Sequence, residues 1–240
     1  MSIAFFSDIH GNDIAFRACL SVMSDQGVRE YYFVGDAVGY LPDEIAVLER
    51  LESLGACCQR GNHEAMLLSE DGIDPEKESL YGLLAVKERL KSTSWIEKLT
   101  RWPTSVSLTI GDKRFLLVHG SPASELFDYV YPDSDLSVFK DVPYDFVVMG
   151  NTHRPFVKKV GDVVFVNLGS IGLPRDSGNL ASFGIYELES QQFRIVRVPI
   201  DVEKILIQYG GSLHEAISAC FKRTPVDAVG SIADQPSPRI

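Results

Sequence analysis

Near its start the chain reads Phe5-Phe6-Ser7-Asp8-Ile9-His10-Gly11-Asn12, and every other assignment builds on this octapeptide. It begins as an apolar strand and ends on a carboxylate and an imidazole two residues apart, beside a glycine that lets the backbone turn. Side chains at i and i+2 of a strand point to the same side, so Asp8 and His10 are expected to face one point just beyond the strand. A carboxylate oxygen and an imidazole nitrogen that converge in this way suit a divalent metal.

The same pattern, an apolar run that ends on metal-competent side chains beside a glycine, recurs four more times. Continuous apolar runs are typical of buried strands, and ligands of open α/β sheets bind outside the carboxyl ends of the strands. The four polar endings are Gly35-Asp36, Gly61-Asn62-His63-Glu64, His119-Gly120 and Gly150-Asn151-Thr152-His153. Of the 5 histidines in the chain only His214 lies outside the five endings, and random scatter would not sort histidines in this way. We therefore expect the endings to share one cleft.

Taken in this order, the motifs resemble those of the calcineurin-like metallophosphoesterase superfamily, and especially its small bacterial and archaeal phosphodiesterase-like members. The segments 35–43, 119–122 and 167–175 are similar to that subgroup, and the likeness extends from the N-terminus to about residue 200. The resemblance implies an α/β fold: a four-layer α/β/β/α sandwich in which two mixed sheets are flanked by helices.

The resemblance also implies two divalent metal ions that share one bridging carboxylate, Asp36. The first metal would be held by Asp8, His10, Asp36 and His153, and the second by Asp36, Asn62, His119 and Asn151. The mixed nitrogen and oxygen ligands suit Mn²⁺ or Fe better than Ca²⁺, with Zn²⁺, Ni²⁺ and Mg²⁺ as further possibilities.

By the same resemblance, a hydroxide shared by the two metals attacks phosphorus in line, and His63 protonates the departing oxygen as a general acid. Arg175 is either a ligand of the substrate phosphate or a surface arginine. Two positions depart from the family pattern. Asn151 stands where most members carry a histidine, which predicts a weaker second metal site. Gly39 stands where the Ser/Thr phosphatases carry the aspartate that orients the acid histidine.

These features favour a hydrolase of phosphodiester or phosphomonoester bonds in a phosphorylated small molecule or nucleotide. One alternative is a Ser/Thr phosphoprotein phosphatase, and another is a catalytically weakened metal-binding regulatory module, for which Asn151 is the support. The net charge of −10 leaves no basic surface for a polyanion, so a nucleic-acid substrate is disfavoured.

Motifs that must meet in one site predict a single metallophosphoesterase domain over residues 1–230, with C-terminal helices at about 201–222 and a disordered tail over 231–240. A helical insert at about 65–102 and a long connection over 121–143 are the segments able to set substrate size. The aromatic residues of that connection either fix the loop, which we favour, or stack on a nucleoside.

The chain shows no apolar run long enough to span a membrane and no signal peptide, so we expect a cytoplasmic protein without membrane association. Its 4 cysteines form no Cys-x-x-Cys pair, and buried, reduced thiols are expected. The sequence carries no indication of oligomeric state.

Overall fold

A computed structural model of the protein describes residues 1–69 and 73–225, which form ten strands in two five-stranded sheets. In chain order the strands are β1 Ser2–Phe6, β2 Val28–Phe33, β3 Cys57–Cys58, β4 Ser105–Ile110, β5 Lys113–Val118, β6 Phe146–Met149, β7 Phe156–Val160, β8 Val163–Asn167, β9 Leu180–Glu187 and β10 Gln192–Pro199. The helices are α1 Asp13–Asp25, α2 Glu44–Ser53, α3 Asn62–Leu68, α4 Pro75–Tyr81, α5 Leu83–Leu90, α6 Trp95–Thr100, α7 Val202–Tyr209 and α8 Glu215–Cys220. A short 3-10 helix, Ser137–Phe139, lies in the connection between β5 and β6.

Both sheets are mixed, with strand orders β10-β9-β1-β2-β3 and β4-β5-β6-β8-β7. In the first sheet β1, β2 and β3 run parallel, and in the second β5, β6 and β8 run parallel. Parallel neighbours end at the same edge, so the loops that follow them come together. Backbone hydrogen bonds join these loops within each sheet. The Asp8 N–H donates to the Gly35 carbonyl at 2.9 Å, and the Gly150 N–H donates to the His119 carbonyl at 3.0 Å.

Three apolar clusters hold the layers together. The first, which includes Phe6 and Phe16, packs the α-helices onto one face of the first sheet. The second lies between the sheets, where the Phe115 ring centroid is 5.7 Å from that of Phe5 and 4.6 Å from that of Phe146. The third packs the connection with the 3-10 helix onto the outer face of the second sheet. Two mixed sheets flanked by helices confirm the predicted fold class.

Most predicted elements are present near the expected residues. The helical insert consists of α3 to α6, and the C-terminal helices are α7 and α8. The prediction of buried thiols is wrong for Cys57, which is exposed because β3 is a two-residue strand at the edge of its sheet. The tail predicted to be disordered, 231–240, lies outside the described residues. Within residues 1–69 and 73–225, no helix has the length and apolar character needed to cross a bilayer.

One ion pair ties the helical insert to α2. The Glu44 carboxylate is fully buried and accepts two hydrogen bonds from the Arg89 guanidinium of α5, at 2.6 and 3.0 Å. The Arg89 side chain is 40% exposed, so the pair lies at the boundary between the buried helix interface and solvent. A buried carboxylate is stable in its charged form only while such a partner remains.

We predict that Arg89→Ala lowers the free energy of unfolding by about 3 kcal/mol, because it leaves the buried Glu44 charge without its partner. Urea denaturation measures the loss. The matched control is Arg101→Ala, which breaks an exposed i,i+4 pair with Glu97 and should cost under about 0.5 kcal/mol. Equal losses in the two variants would contradict the structural role assigned to the Glu44–Arg89 pair.

Candidate metal centre

The residues that converge on the cleft adopt an uncommon backbone conformation. Strand β1 ends at Phe6, and Asp8 and His10 lie beyond it with φ of +55° and +50°. The expectation that they share one face of a strand is therefore wrong, although both side chains do reach the same point. Left-handed φ values recur at three further predicted ligands, which are Asp36, Asn151 and His153.

A positive φ costs a non-glycine residue about 1 kcal/mol or more, with Asn, Asp and His among the most tolerant residue types. Among the described residues seven non-glycine positions have it, and five of them are predicted metal ligands. A sixth, Tyr40, lines the same cleft. The backbone strain is thus concentrated in the loops after the strands, at the residues whose side chains line the cleft.

The first group of ligands surrounds one carboxylate oxygen. Asp8 Oδ1 lies 3.1 Å from His153 Nε2 and 3.6 Å from His10 Nε2, and these two nitrogens are 3.0 Å apart. The other Asp8 oxygen, Oδ2, accepts hydrogen bonds from the Ser7 hydroxyl and the Asn151 N–H, which fix the orientation of the carboxylate. Asp8 Oδ1 itself is buried and has no hydrogen-bond donor among the described residues.

Backbone carbonyls set the tautomers of three histidines. The Nδ1 atoms of His10, His119 and His153 lie 3.0, 2.8 and 2.6 Å from carbonyl oxygens. The carbonyls belong to Val38, Val34 and Leu173, in that order. A carbonyl can only accept, so each Nδ1 carries a hydrogen and each neutral ring directs the Nε2 lone pair at the centre. This is the usual arrangement of a metal-binding histidine held by an outer hydrogen bond.

With hydrogens on both Nδ1 atoms, the acceptor nitrogens of His10 and His153 face each other. His10 Nε2 and His153 Nε2, 3.0 Å apart, present two lone pairs to each other when both rings are neutral. Burial, followed by the nearby Arg175 charge, lowers the pKa of His153 to about 4, which favours the neutral ring. Two lone pairs at this distance repel, and a cation bound by both removes the repulsion. The residues present therefore fit a divalent metal ion.

A second group of ligands surrounds Asp36. Its Oδ2 lies 3.3 Å from His119 Nε2 and 3.6 Å from His10 Nε2, so one oxygen faces both groups. His119 Nε2 is also 3.0 Å from Asn62 Oδ1. Burial lowers the pKa of His119, but the Asp36 and Asp8 carboxylates more than offset this and raise it to about 10. In the metal-free protein His119 is therefore protonated, and its positive charge balances the carboxylates. A bound metal would replace this proton and supply the charge instead.

The two carboxyl groups remain ionised. Burial by itself raises the pKa of Asp8 and of Asp36, yet the surrounding histidines hold both well below the usual range. For Asp8 the largest lowering comes from His153, and for Asp36 it comes from His119. The centre therefore combines two buried negative charges with several nitrogen and oxygen lone pairs, which is the donor set that transition metals prefer.

Asn151 is positioned by its own amide. The side-chain NH₂ donates to the Asp128 carbonyl at 2.8 Å, which leaves the amide oxygen as the atom available to a metal. Asn151 lines a cavity of about 240 Å³ together with Asp36, Asn62 and His153. The structure thus brings all seven predicted ligands to one place, while assignment of each to a metal belongs to the proposal below.

His63 lies in the same cavity, at the second residue of α3. Its Nε2 is 4.0 Å from Asp36 Oδ2, and its ring packs against Tyr40 and Tyr81, with centroids 4.9 and 4.8 Å away. Its Nδ1 is buried without a hydrogen-bond partner among the described residues. A Cβ atom on Gly39 would lie 2.3 Å from this Nδ1, so position 39 does adjoin the histidine and the ring leaves no room for an aspartate there.

Arg175 also faces the cavity rather than open solvent. One terminal nitrogen donates to the Tyr40 hydroxyl at 3.1 Å, and the residue lines the cavity together with His153. Its backbone N–H donates to the His153 carbonyl at 3.2 Å, which ties the 169–175 loop to the centre. Of the two interpretations of Arg175 given above, this position favours contact with substrate.

Sequence reasoning missed the role of Glu64. Its carboxylate is fully buried and accepts four backbone hydrogen bonds, each oxygen taking two. The donors are the N–H groups of Asp36, Ala37, Val38 and Gly61, at 2.9, 2.7, 3.2 and 2.8 Å. Glu64 therefore fixes the loop that carries Asp36. The sequence did contain a signal for this role, because Glu64 is a charged residue that directly precedes the apolar run of α3.

Comparison with known proteins agrees with this geometry. A family model described as the calcineurin-like phosphoesterase superfamily domain matches residues 1–191. The chain belongs to this superfamily. Its sequence is 29% identical over 221 residues to an uncharacterized protein of Methanocaldococcus jannaschii, covering 84% of this chain and 89% of that protein. It is 24% identical over 199 residues to phosphodiesterase YfcE of Escherichia coli K12, and the match covers 78% of this chain and 88% of that protein.

A solved structure shares the fold over almost its whole length. The metallophosphoesterase of Sphaerobacter thermophilus superposes with a TM-score of 0.77 at 23% sequence identity, covering 92% of this chain and 99% of that one. The family and its phosphodiesterase relative indicate a hydrolase of phosphate esters, and the clusters of buried carboxylates and histidines are the candidate metal ligands.

We predict that Glu64→Gln lowers the free energy of unfolding by about 3 kcal/mol. The amide replaces one acceptor oxygen with an NH₂ group, so two of the four backbone N–H groups lose their acceptor. Glu125→Gln is the matched control, because Glu125 is exposed and its carboxylate accepts from the hydroxyls of Thr104 and Ser105 rather than from buried backbone N–H groups. This substitution should lower the free energy of unfolding by under about 0.5 kcal/mol. A wild-type urea midpoint for Glu64→Gln would show that the carboxylate does not hold the Asp36 loop.

Proposed function

We propose that the protein hydrolyses phosphodiester or phosphomonoester bonds with two divalent metal ions, Mn²⁺ being the best candidate. The observation that carries this proposal is the convergence of two buried carboxylates and three histidine Nε2 atoms, among which Asp8 Oδ1 has no hydrogen-bond donor in the described residues and the Nε2 atoms of His10 and His153 face each other at 3.0 Å. The family and its phosphodiesterase relative support the reaction class.

The proposed ligands fall into the two groups found around the carboxylates. The first metal is assigned to Asp8, His10, Asp36 and His153. The second is assigned to Asp36, Asn62, His119 and Asn151. Asp36 is given the bridging role because its Oδ2 lies within 3.6 Å of a histidine from each group. When bound, the metals supply Lewis acidity toward the phosphoryl oxygens and lower the pKa of a water molecule.

The remaining residues of the cavity are assigned to the substrate. His63 Nε2 faces the centre and is the group proposed to donate a proton to the leaving oxygen. The guanidinium of Arg175 is proposed to bind a phosphate oxygen, a pairing that guanidinium geometry favours. Tyr40, Tyr81 and Tyr129 line the same cavity and limit the water around the reacting bond.

Efficient Ser/Thr phosphoprotein phosphatase activity is the less favoured function. That branch orients its acid histidine with an aspartate, and here Gly39 stands beside a His63 Nδ1 that has no partner among the described residues. The regulatory-module alternative is supported by Asn151 alone, while His63 and Asp36 are both present and directed at the centre. A small phosphate ester therefore fits the site better than a phosphoprotein or no substrate at all.

The direct test is Mn²⁺ titration of metal-stripped protein with bis(4-nitrophenyl) phosphate and 4-nitrophenyl phosphate as substrates. We predict activation in two phases. With an alkyl ester such as glycerol phosphate, kcat should fall by about 10²–10⁴-fold in His63→Ala, because the leaving alkoxide then departs without its acid. The fall should be much smaller with the two nitrophenyl esters, because nitrophenolate leaves readily without a proton. Calorimetric titration should show that His63→Ala still binds Mn²⁺. Turnover of neither ester at saturating Mn²⁺, with only one metal bound, would favour the regulatory module.

Replacing Asn151 by histidine should tighten the second metal site. Imidazole is a better donor to a transition metal than an amide oxygen, so we expect the dissociation constant of the weaker Mn²⁺ to fall by roughly ten-fold. Calorimetry and the Mn²⁺ dependence of activity both measure it. The control is Asn179→His, at an exposed asparagine outside the cavity. Unchanged affinity and activity in Asn151→His would show that position 151 is not a ligand.

A further inference from the structure

A second and larger cavity, of about 500 Å³, lies next to the candidate metal centre. Both cavities are lined by Tyr40, Leu80 and Arg175, so these three side chains form a common wall. A ligand placed at the metal centre can therefore extend past this wall and contact both spaces.

The larger cavity is lined by three arginines. Arg154 is buried, and its guanidinium lies over the Tyr131 ring at 5.7 Å from the centroid. Arg175 donates to the Tyr40 hydroxyl, and Arg223 lines the cavity just beyond α8.

These three arginines lack acidic partners, as do Arg29 and Arg60 among the described residues, but neither of those two lines the cavity. Within residues 1–69 and 73–225, Arg154, Arg175 and Arg223 form no ion pair. Arginines that do pair with carboxylates are Arg17, Arg50, Arg89, Arg101, Arg114, Arg194 and Arg197. The chain has 33 acidic and 23 basic residues, so three unpaired arginines on one cavity run against its overall charge.

Nearby carboxylates of the described residues form no salt bridge with the three arginines. Asp176, adjacent to Arg175 in sequence, is engaged by Arg197 through both of its oxygens. Asp133 lines the same cavity, but it is exposed and pairs with none of the three arginines. Guanidinium groups that line one cavity without a salt-bridge partner can bind an anion, and their planar donor geometry matches phosphate oxygens.

Several of the other residues that line the cavity are apolar. Leu173 comes from the 169–175 loop, and Ile217 and Cys220 come from α8. Together with the Tyr131 ring they offer a surface for an uncharged organic group between two anionic ends. The long connection that carries Tyr131 thus takes part in the cavity in addition to covering the second sheet.

We infer that the larger cavity binds a second phosphate group of the substrate, through Arg154, Arg175 and Arg223. The substrate class is then a phosphate ester that carries another phosphate on the same organic group. This inference rests on the proposed function, because the scissile phosphate must lie at the metal centre for the second phosphate to reach the arginines.

A matched pair of chromogenic esters tests it. Thymidine 5′-(4-nitrophenyl phosphate) and its 3′-phosphorylated form share the scissile bond, the base and the leaving group, and differ only in the second phosphate. We expect the wild-type kcat/KM to be at least about ten-fold higher for the 3′-phosphorylated ester, mainly through KM. In Arg154→Gln and Arg223→Gln the ratio should fall to about two-fold or less. The control Arg101→Gln alters an exposed arginine that does not line the cavity, and it should retain the wild-type ratio.

Binding to metal-stripped protein gives a readout that does not depend on turnover. Thymidine 3′,5′-bisphosphate should bind the wild type at least about ten-fold more tightly than it binds either arginine variant. Thermal unfolding of each variant controls for folding, and Arg223→Gln alters a half-buried residue beyond the last helix, so it should fold even if Arg154→Gln does not.

The outcomes separate the two proposals. Hydrolysis of both esters at equal kcat/KM, with bisphosphate binding that is insensitive to both arginine variants, would overturn the second-phosphate site and leave the proposed function in place. Hydrolysis of neither ester, with arginine-dependent bisphosphate binding, would overturn the proposed reaction while supporting the anion site.

Discussion

The structure depends on one electrostatic constraint, which is that several acceptor atoms meet in a buried space without enough positive charge. Asp8 Oδ1 has no donor among the described residues, and the Nε2 atoms of His10 and His153 lie 3.0 Å apart. Left to themselves these groups would separate. They are held by left-handed turns after the strands, by backbone carbonyls on the Nδ1 atoms, and by Glu64 beneath the Asp36 loop. A metal bound as proposed would remove this repulsion, which would add to its affinity.

Specificity comes from elements outside that centre. The strand ends supply the ligands, whereas α4, the connection after β5, the 169–175 loop and α8 supply the walls of the two cavities. On the proposed function, the centre would supply the chemistry common to phosphate esters, and the walls would determine which esters reach it. Arg175 lines both cavities, so it links recognition of the scissile phosphate with that of the proposed second phosphate.

Much of this arrangement could be predicted from the sequence, because it is encoded locally. An apolar run followed by glycine and a metal-competent residue is a short-range signal. Five such runs in a recognisable order predicted the fold and the seven candidate ligands that the structure brings together. The strained φ at Asp8 and His10 was not predicted, since strand alternation leads to the same convergence by a different backbone. Glu64 and the arginine cluster were missed because their partners are distant in sequence: Arg154 and Arg223 meet only when α8 packs beside the loops.

The most direct test of the account is a crystal structure of the protein grown with Mn²⁺, with anomalous scattering used to locate the metal. We predict two anomalous peaks roughly 3.5–4 Å apart. One peak should lie among Asp8, His10 and His153, and the other, more weakly occupied, should lie between Asp36 and His119. No peak at the centre, or a single peak at full occupancy with Asn62 and Asn151 turned away from it, would contradict the claim that these buried acceptors are held together to bind a pair of cations.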